Sequence, residues 1–363
     1  MTEVLIKELT NSDIDWLIST GRRREIAPGT VLIQAGQTTD FLHILLDGIL
    51  TVTVSQADSN PLSRAFAAIE GNENTSREIS RLYSGEVVGE IPFVSVRPIA
   101  TTVRAVEKSL VMSISQQELA AKLQEDVGFA ARFNRAIAIL LSDRLQNLID
   151  RFGRSNLAQG QPLKDVLFIL GELHDSDLDW MIACGTQKYI PANTAIVHEG
   201  RPIDALYIIL SGTMSMSVSQ SKTNPLTRAF AAIEGGEIPS REIARLFKGD
   251  FVGETHFIDG RLPAATFTTL EDSFVLSIMR QQLAVKLQQD VGFASRFYRA
   301  IATSLSHRLQ GTIGRLGYTR RFYSQGQPLD QNVEYEDELN ANVLDRVALA
   351  GKRFNWILEQ SKA

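Results

Sequence analysis

Asn60-Pro-Leu-Ser-Arg-Ala-Phe-Ala-Ala-Ile-Glu-Gly71 returns as Asn224-Pro-Leu-Thr-Arg-Ala-Phe-Ala-Ala-Ile-Glu-Gly235, shifted by 164 positions. The same shift carries Trp16 onto Trp180, Gly36 onto Gly200, Gly48 onto Gly212, Gly89-Glu90 onto Gly253-Glu254 and Asp126-Val-Gly-Phe-Ala-Ala-Arg-Phe133 onto Asp290-Val-Gly-Phe-Ala-Ser-Arg-Phe297. No gap is needed. A period this long is the length of a domain, so the chain is a duplicated domain and not a solenoid of 20–50-residue units. Gln159-Gly-Gln-Pro-Leu163 after the first copy recurs as Gln325-Gly-Gln-Pro-Leu329 after the second. Each reads as a helix exit into a linker, since Gly and Pro end helices. The expected domains are therefore 1–159 and 160–325, followed by a tail at 326–363.

Composition narrows the class. Of 363 residues, 44% are hydrophobic and 22% charged, which is the profile of a globular chain. The longest apolar runs, such as Ile137–Leu141, are too short to span a bilayer, and the N-terminus has no basic stretch followed by an apolar core. A single cysteine, Cys184, excludes an internal disulfide and fits a reducing compartment. The net charge of −5 argues against broad binding to phosphate backbones. A cytoplasmic protein is expected, without nucleic acid or membrane insertion.

Within the first copy, Asn11-Ser-Asp-Ile-Asp-Trp-Leu-Ile18 reads as a helix capped by Asn or Ser, with Ile14, Leu17 and Ile18 on its apolar face. Pro28-Gly29 breaks the chain. Val31–Gly36 is a short strand and turn, and Phe41–Val54 is two strands hinged at Asp47-Gly48. Further strands are predicted at Val103–Val106 and Leu110–Ile114. Short strands with glycine turns at this spacing point to a small β-barrel or jelly roll. From Gln116 to Phe152 the apolar period becomes helical, with a break at Asp126-Val-Gly128 and with Arg132, Arg135, Asp143 and Arg144 expected to face water. The fold class is thus mainly β with α: two tandem β-rolls, each flanked by N-terminal and C-terminal helices.

Helix, roll with an Asp-Gly turn, Gly-Glu segment and two helices, in that order and twice over, resembles the cyclic-nucleotide-binding domain. The resemblance covers roughly residues 5–152 and 169–316 and is to tandem, bacterial-type members. It implies that a segment of the type G-E-x-x-x-x-x-x-x-P-R-A-A-T-V cradles a cyclic phosphate, the glutamate accepting from the ribose hydroxyl and the arginine pairing with the phosphate. Here the segments read Gly89-Glu-Ile-Pro-Phe-Val-Ser-Val-Arg-Pro-Ile-Ala-Thr-Thr-Val103 and Gly253-Glu-Thr-His-Phe-Ile-Asp-Gly-Arg-Leu-Pro-Ala-Ala-Thr-Phe267. The candidate ligand residues carried over are Gly89, Glu90, Arg97, Ala100 and Thr101 in the first copy and Gly253, Glu254, Arg261, Ala265 and Thr266 in the second. At the family's arginine position stand Ile99 and Pro263, and each copy has an arginine two residues earlier, Arg97 and Arg261. Losing that charge partner costs about 3–5 kcal/mol with the anion buried, so binding of cyclic AMP or GMP in the usual way is not expected. No other cofactor is implied.

A second departure is the insertion at Pro61–Arg77 and Pro225–Arg241, in which Leu62–Ile69 reads as a short amphipathic helix. Phe66 and Phe230 on that helix, with Phe354 on a predicted tail helix at Asn342–Gln360, are candidate partner-binding residues. Glu334–Glu338 reads as a solvated acidic linker. The tail is too short for a helix-turn-helix. The five histidines show no ligand spacing, so no metal site is expected, although His256 lies inside the second segment beside Glu254. No Gly-x-Ser-x-Gly elbow or phosphate loop occurs, and no catalytic residues are assigned. The expected function is a non-enzymatic binding or scaffold protein with a protein partner and self-association; the alternative is a nucleotide-responsive regulator acting through its C-terminal helices.

Overall fold

The computed structural model describes residues 2–37, 39–55, 76–90, 99, 101–152, 168–219, 240–315 and 341–360. The insertions with Phe66 and Phe230, which the sequence predicts to be helical, as well as Arg97, Ala100, the linker near Gly160 and the acidic stretch 334–338, lie outside them. In the first repeat, α1 (Thr2–Glu8) and α2 (Asn11–Thr20) precede β1 (Arg22–Ile26), β2 (Val31–Ile33), β3 (Phe41–Asp47), β4 (Leu50–Ser55), β5 (Ser76–Leu82), β6 (Val87–Val88), β7 (Thr102–Ala105) and β8 (Ser109–Ser115), then α3 (Gln116–Glu125) and α4 (Val127–Phe152). The second repeat runs α5 (Phe168–Gly171), α6 (Asp175–Cys184), β9 (Thr186–Ile190), β10 (Ala195–Val197), β11 (Ala205–Ser211), β12 (Met214–Ser219), β13 (Ser240–Leu246), β14 (Phe251–Val252), α7 (His256–Asp259), β15 (Thr266–Thr269), β16 (Ser273–Met279), α8 (Arg280–Gln289) and α9 (Val291–Arg315). The tail helix is α10 (Ala341–Gln360). By contacts the chain divides into two units, Met1–Leu141 with Leu305–Asp345, and Ser142–Ser304 with Arg346–Ala363.

Each repeat is a roll of two four-stranded antiparallel sheets, ordered β1-β8-β3-β6 and β2-β7-β4-β5 in the first, and β9-β16-β11-β14 and β10-β15-β12-β13 in the second. The predicted hinge at Asp47-Gly48 joins β3 to β4, with Gly48 at φ +97°. Three strands escaped the sequence reading. β1 is Arg-Arg-Arg-Glu-Ile, with four exposed residues ahead of buried Ile26, so its charge suits an edge and hides its strand character. β5 mixes charge and apolar residues as Ser-Arg-Glu-Ile-Ser-Arg-Leu, and β6 has only two residues. Leu45, Leu50, Leu82, Val103 and Val111 form the centre of the first roll's core.

The helices are tied to each other by charge. Thr10, rather than Asn11 or Ser12, caps α2: its hydroxyl accepts from Asp13 N at 3.3 Å while Asp13 Oδ2 accepts from Thr10 N at 2.8 Å. The same carboxylate receives Arg132 of α4 in a two-point contact, Nε to Oδ2 at 2.6 Å and Nη2 to Oδ1 at 2.9 Å. Burial alone would raise the Asp13 pKa, but Arg132 and the Thr10 bonds outweigh it and hold the pKa at about 2. Asp177 and Arg296 repeat the lock at 2.6 and 2.8 Å. Arg135 pairs with Glu8 at 2.8 Å and Arg299 with Glu172 at 2.9 Å. The expectation that Arg132, Arg135 and Asp143 sit on a solvated face is thereby corrected: all three are half-buried ion-pair partners. Asp126 marks the predicted helix break, its Oδ1 accepting from Phe129 N at 2.8 Å. Trp16 meets the Phe129 ring edge-on at 5.4 Å, and Trp180 meets Phe293 at 5.3 Å.

Two outcomes follow from these contacts. Arg132→Ala leaves the buried Asp13 carboxylate uncompensated and is expected to lower stability by about 2–3 kcal/mol, less than for a fully buried pair because Arg132 is itself a third exposed. Lys108→Ala, which breaks an exposed pair with Glu25, serves as the control and is expected to cost under about 0.5 kcal/mol in the same urea titration. His43 gives a pH dependence confined to the first repeat, since the matching position is Tyr207. Burial, aided by Arg24, lowers the His43 pKa to about 4, while Nδ1 lies 2.8 Å from Ser113 Oγ. The folded-state value lies below the ordinary 6.5, so as pH falls the unfolded chain takes up its proton first. This contribution is intact above pH 6.5 and is lost between there and pH 4, by about 2 kcal/mol at pH 5. Denaturation series at the two pH values should show that loss in the wild type and a flatter slope in His43→Tyr.

Candidate ligand site of the two rolls

The Gly-Glu pairs sit where a two-residue strand ends. β6 pairs with β3 through His43–Val88 and Ile44–Val87, and β14 pairs with β11 through Tyr207–Val252 and Ile208–Phe251. Pairing stops at once because Gly89 and Gly253 turn the chain with φ of +84° and +88°. Only glycine fits at Gly89, where an added Cβ would overlap the Phe41 carbonyl oxygen; at Gly253 the nearest atom would be the Ala205 carbonyl oxygen at 3.3 Å. Glu90 and Glu254 follow, both buried.

Opposite these pairs, the second half of each segment is stapled to the turn after β2 or β10. Gly36 N donates to the Ile99 carbonyl at 2.8 Å, and Gly200 N to the Pro263 carbonyl at 2.9 Å. Thr102 Oγ1 accepts from Ala35 N at 3.2 Å, and Thr266 Oγ1 accepts from Glu199 N at 3.0 Å. The structural counterpart of Thr266 is thus Thr102, which the sequence reading missed in favour of Thr101; the shift of 164 identifies it. Thr101 is half-buried and Ala265 is buried. Ile99, at the arginine position, belongs to the roll's apolar core with Leu45 and Leu82. Pro263 is buried as well.

Arg261 lies elsewhere. It is exposed at the end of α7, its Nε donating to Asp259 and its Nη1 to Asp143 of α4, all within the second contact unit. Burial pulls its pKa down, but Asp259 and Asp143 carry it above the ordinary arginine value. The guanidinium is therefore already neutralised by two carboxylates. His256 is buried, its Nδ1 2.9 Å from the Arg261 carbonyl oxygen. A carbonyl only accepts, so Nδ1 carries the proton. The other nitrogen, Nε2, is buried without a hydrogen-bond partner, and it can accept from a hydroxyl or amide. Phe354, the candidate partner contact on α10, is itself buried and is not presented at the surface.

The family model for the cyclic nucleotide-binding domain matches residues 23–126 and 187–290, more than half of the chain, and the chain belongs to that family. Among curated relatives, neuropathy target esterase sws of Drosophila willistoni is 24% identical over 335 residues, covering 91% of this chain and 19% of that protein. An uncharacterised NTE family protein of Mycobacterium bovis is 26% identical over 137 residues, 38% of this chain and 20% of that protein. The HTH-type transcriptional regulator Cmr of Mycobacterium tuberculosis is 25% identical over 151 residues, 42% of this chain and 55% of that one. The chain thus spans about half the length of one of these relatives and about a fifth of the others. Among solved structures, the cAMP-bound regulatory domain of Toxoplasma gondii PKA is 18% identical, covering 80% of this chain and 89% of that chain with a TM-score of 0.29. The esterase names overturn the expectation of a non-enzymatic protein: two of these matches, one across nearly the whole chain, are to proteins named for the NTE esterase family. Among the described residues no helix is long and apolar enough to cross a membrane.

Backbone geometry separates the two glycines experimentally. Gly89→Ala adds an overlap to the positive-φ strain and is expected to cost about 2–3 kcal/mol, whereas Gly253→Ala adds only tight contacts at 3.3 Å to the same strain and is expected to cost about 1–2 kcal/mol. Chemical denaturation of the two variants reads the difference.

Proposed function

We propose that the chain is the tandem regulatory module of an esterase-type protein, in which the two rolls, at 1–159 and 160–325, keep the family's buried glutamate but have closed the phosphate end of the site. What supports this reading is one observation made twice: the arginine position is buried, occupied by Ile99 of the first roll's core and by Pro263, with its carbonyl stapled to Gly36 or Gly200. A cyclic phosphate placed there meets an apolar side chain, and an anion left without a charge partner in a partly dry site loses at least about a hundredfold in affinity. Arg261 does not replace the missing group unless a ligand outcompetes Asp143 and Asp259. In the second roll His256, two residues after the glutamate, is buried with an Nε2 that can take a hydrogen-bonding group of a ligand. The module acts through its helices on a protein partner, and the activity it governs is ester hydrolysis, by likeness to the esterase relatives.

Thermal melts with cyclic AMP and cyclic GMP at millimolar concentration, together with ester hydrolysis by the protein purified from its natural source, test both halves of this reading. The expected result is an unchanged melting temperature and a hydrolysis rate indifferent to either nucleotide. A ligand present at about 100 times its dissociation constant stabilises by about 2.7 kcal/mol, so a rise of several degrees would contradict the closed sites. Absence of any ester hydrolysis would remove the esterase half.

A further inference from the structure

The two repeats carry the same locks at the same positions but differ in what covers their N-terminal helices. In the second repeat, α10 lies on α5 and α6. Arg353 Nε donates to Asp175 Oδ1 at 2.9 Å, Arg353 Nη1 donates to the carbonyls of Leu170 and Gly171 at 3.2 and 3.1 Å, and Trp356 Nε1 donates to Asp179 Oδ1 at 2.9 Å. Asp175, Asp179 and Ile182 follow the i, i+4, i+7 spacing of one helix face, and Leu170 is fully buried. Among the described side chains of α10, Ala350, Phe354 and Ile357 are buried.

The shift of 164 carries that face onto Ile6, Lys7, Asn11, Asp15 and Ile18 of the first repeat. There, Ile6 is 60% exposed where Leu170 is 0%, and Ile18 is 48% exposed. The reading of Ile18 as a core residue of α2 is corrected by this. Its neighbour Leu17 fills the core, and Ile18 points to the face that α10 covers in the other repeat. The frames beneath are equivalent: Leu5 and Ile169 are both buried, and the Asp13–Arg132 and Glu8–Arg135 pairs match Asp177–Arg296 and Glu172–Arg299.

We propose that the Ile6–Asp15–Ile18 face of the first repeat is a docking site for an amphipathic helix of a protein partner, seated as α10 is seated on the second repeat but of different charge. The apolar spacing of α10 fits both faces, and Asp15 keeps the acceptor that Asp179 offers to an indole or another donor. The charged end has changed sign. Asp175, the partner of Arg353, becomes neutral Asn11, and Gly171 becomes Lys7. An arginine at that point of the incoming helix finds no carboxylate and faces an ammonium, while a carboxylate finds one within reach of Lys7. The occupant is therefore a helix with an acidic side chain where α10 has Arg353, and not α10 of a second copy.

The probe is a labelled peptide of residues 341–363 carrying Arg353→Glu, titrated into the full chain by fluorescence anisotropy beside the unmodified peptide. The Arg353→Glu peptide is expected to bind at least about tenfold more tightly than the unmodified one, and Ile18→Asp and Ile6→Asp in the full chain are expected to abolish the difference. Both substitutions lie at exposed positions, and an unchanged melting temperature confirms that the frame is intact. Equal binding of the two peptides, no binding of the acidic peptide, or binding that survives Ile18→Asp would each overturn the proposal.

Discussion

A carboxylate near the start of each repeat is held by an arginine 119 residues later, and the rest of the repeat is arranged around that contact. Asp13 and Asp177 are buried, so each needs a cation to remain charged inside the fold, and Arg132 and Arg296 meet them with two parallel hydrogen bonds. The pair closes the repeat: the helix before the roll is fixed against the helix after it. Around it, Trp16 or Trp180 packs on the first phenylalanine of the long helix, and Lys122 or Lys286 lies over both rings while pairing with the aspartate at the helix break. These are the contacts that a ligand-driven movement of the helices would have to work against.

The same economy of space governs the site. A phosphate clamp requires an arginine to reach into the roll from the far end of the Gly-Glu segment. In this chain that point is taken by buried Ile99 or Pro263, and the staple to Gly36 or Gly200 holds the backbone in place. The arginine two residues earlier in the second repeat has been drawn to carboxylates outside the roll. The glutamate, by contrast, remains buried in both repeats. On the proposed reading, the position that would read the anion is taken and the buried glutamate is kept.

What could be read from the residues and what could not divides by range. The hinge at Asp47-Gly48, the helix break at Asp126 and the Gly-Glu turns rest on local chemistry, and each appears where the residues place it. The duplication supplied the roll and its order of elements. Missed were features whose cause is distant: Arg132 reads as solvated, yet it meets Asp13 119 residues earlier, and Asp143 reads as solvated, yet Arg261, 118 residues on, bonds it. Ile18 continues an apolar stripe in sequence, yet its face lies open, because the helix that covers the matching face belongs to the tail. Edge strand β1 was hidden by its three arginines, since charge on an edge serves to prevent pairing and so resembles a loop.

In the proposed reading the phosphate end of the rolls is closed by buried Ile99 and Pro263. The backbone amides of Gly89 and Gly253 sit at the centre of the site in positive-φ turns, and in isotope-labelled protein they report on it directly by nuclear magnetic resonance. Titration with cyclic AMP to millimolar concentration should leave both signals in place. Saturable movement of either glycine with a micromolar midpoint would mean that the roll opens to the phosphate after all, and would contradict the account.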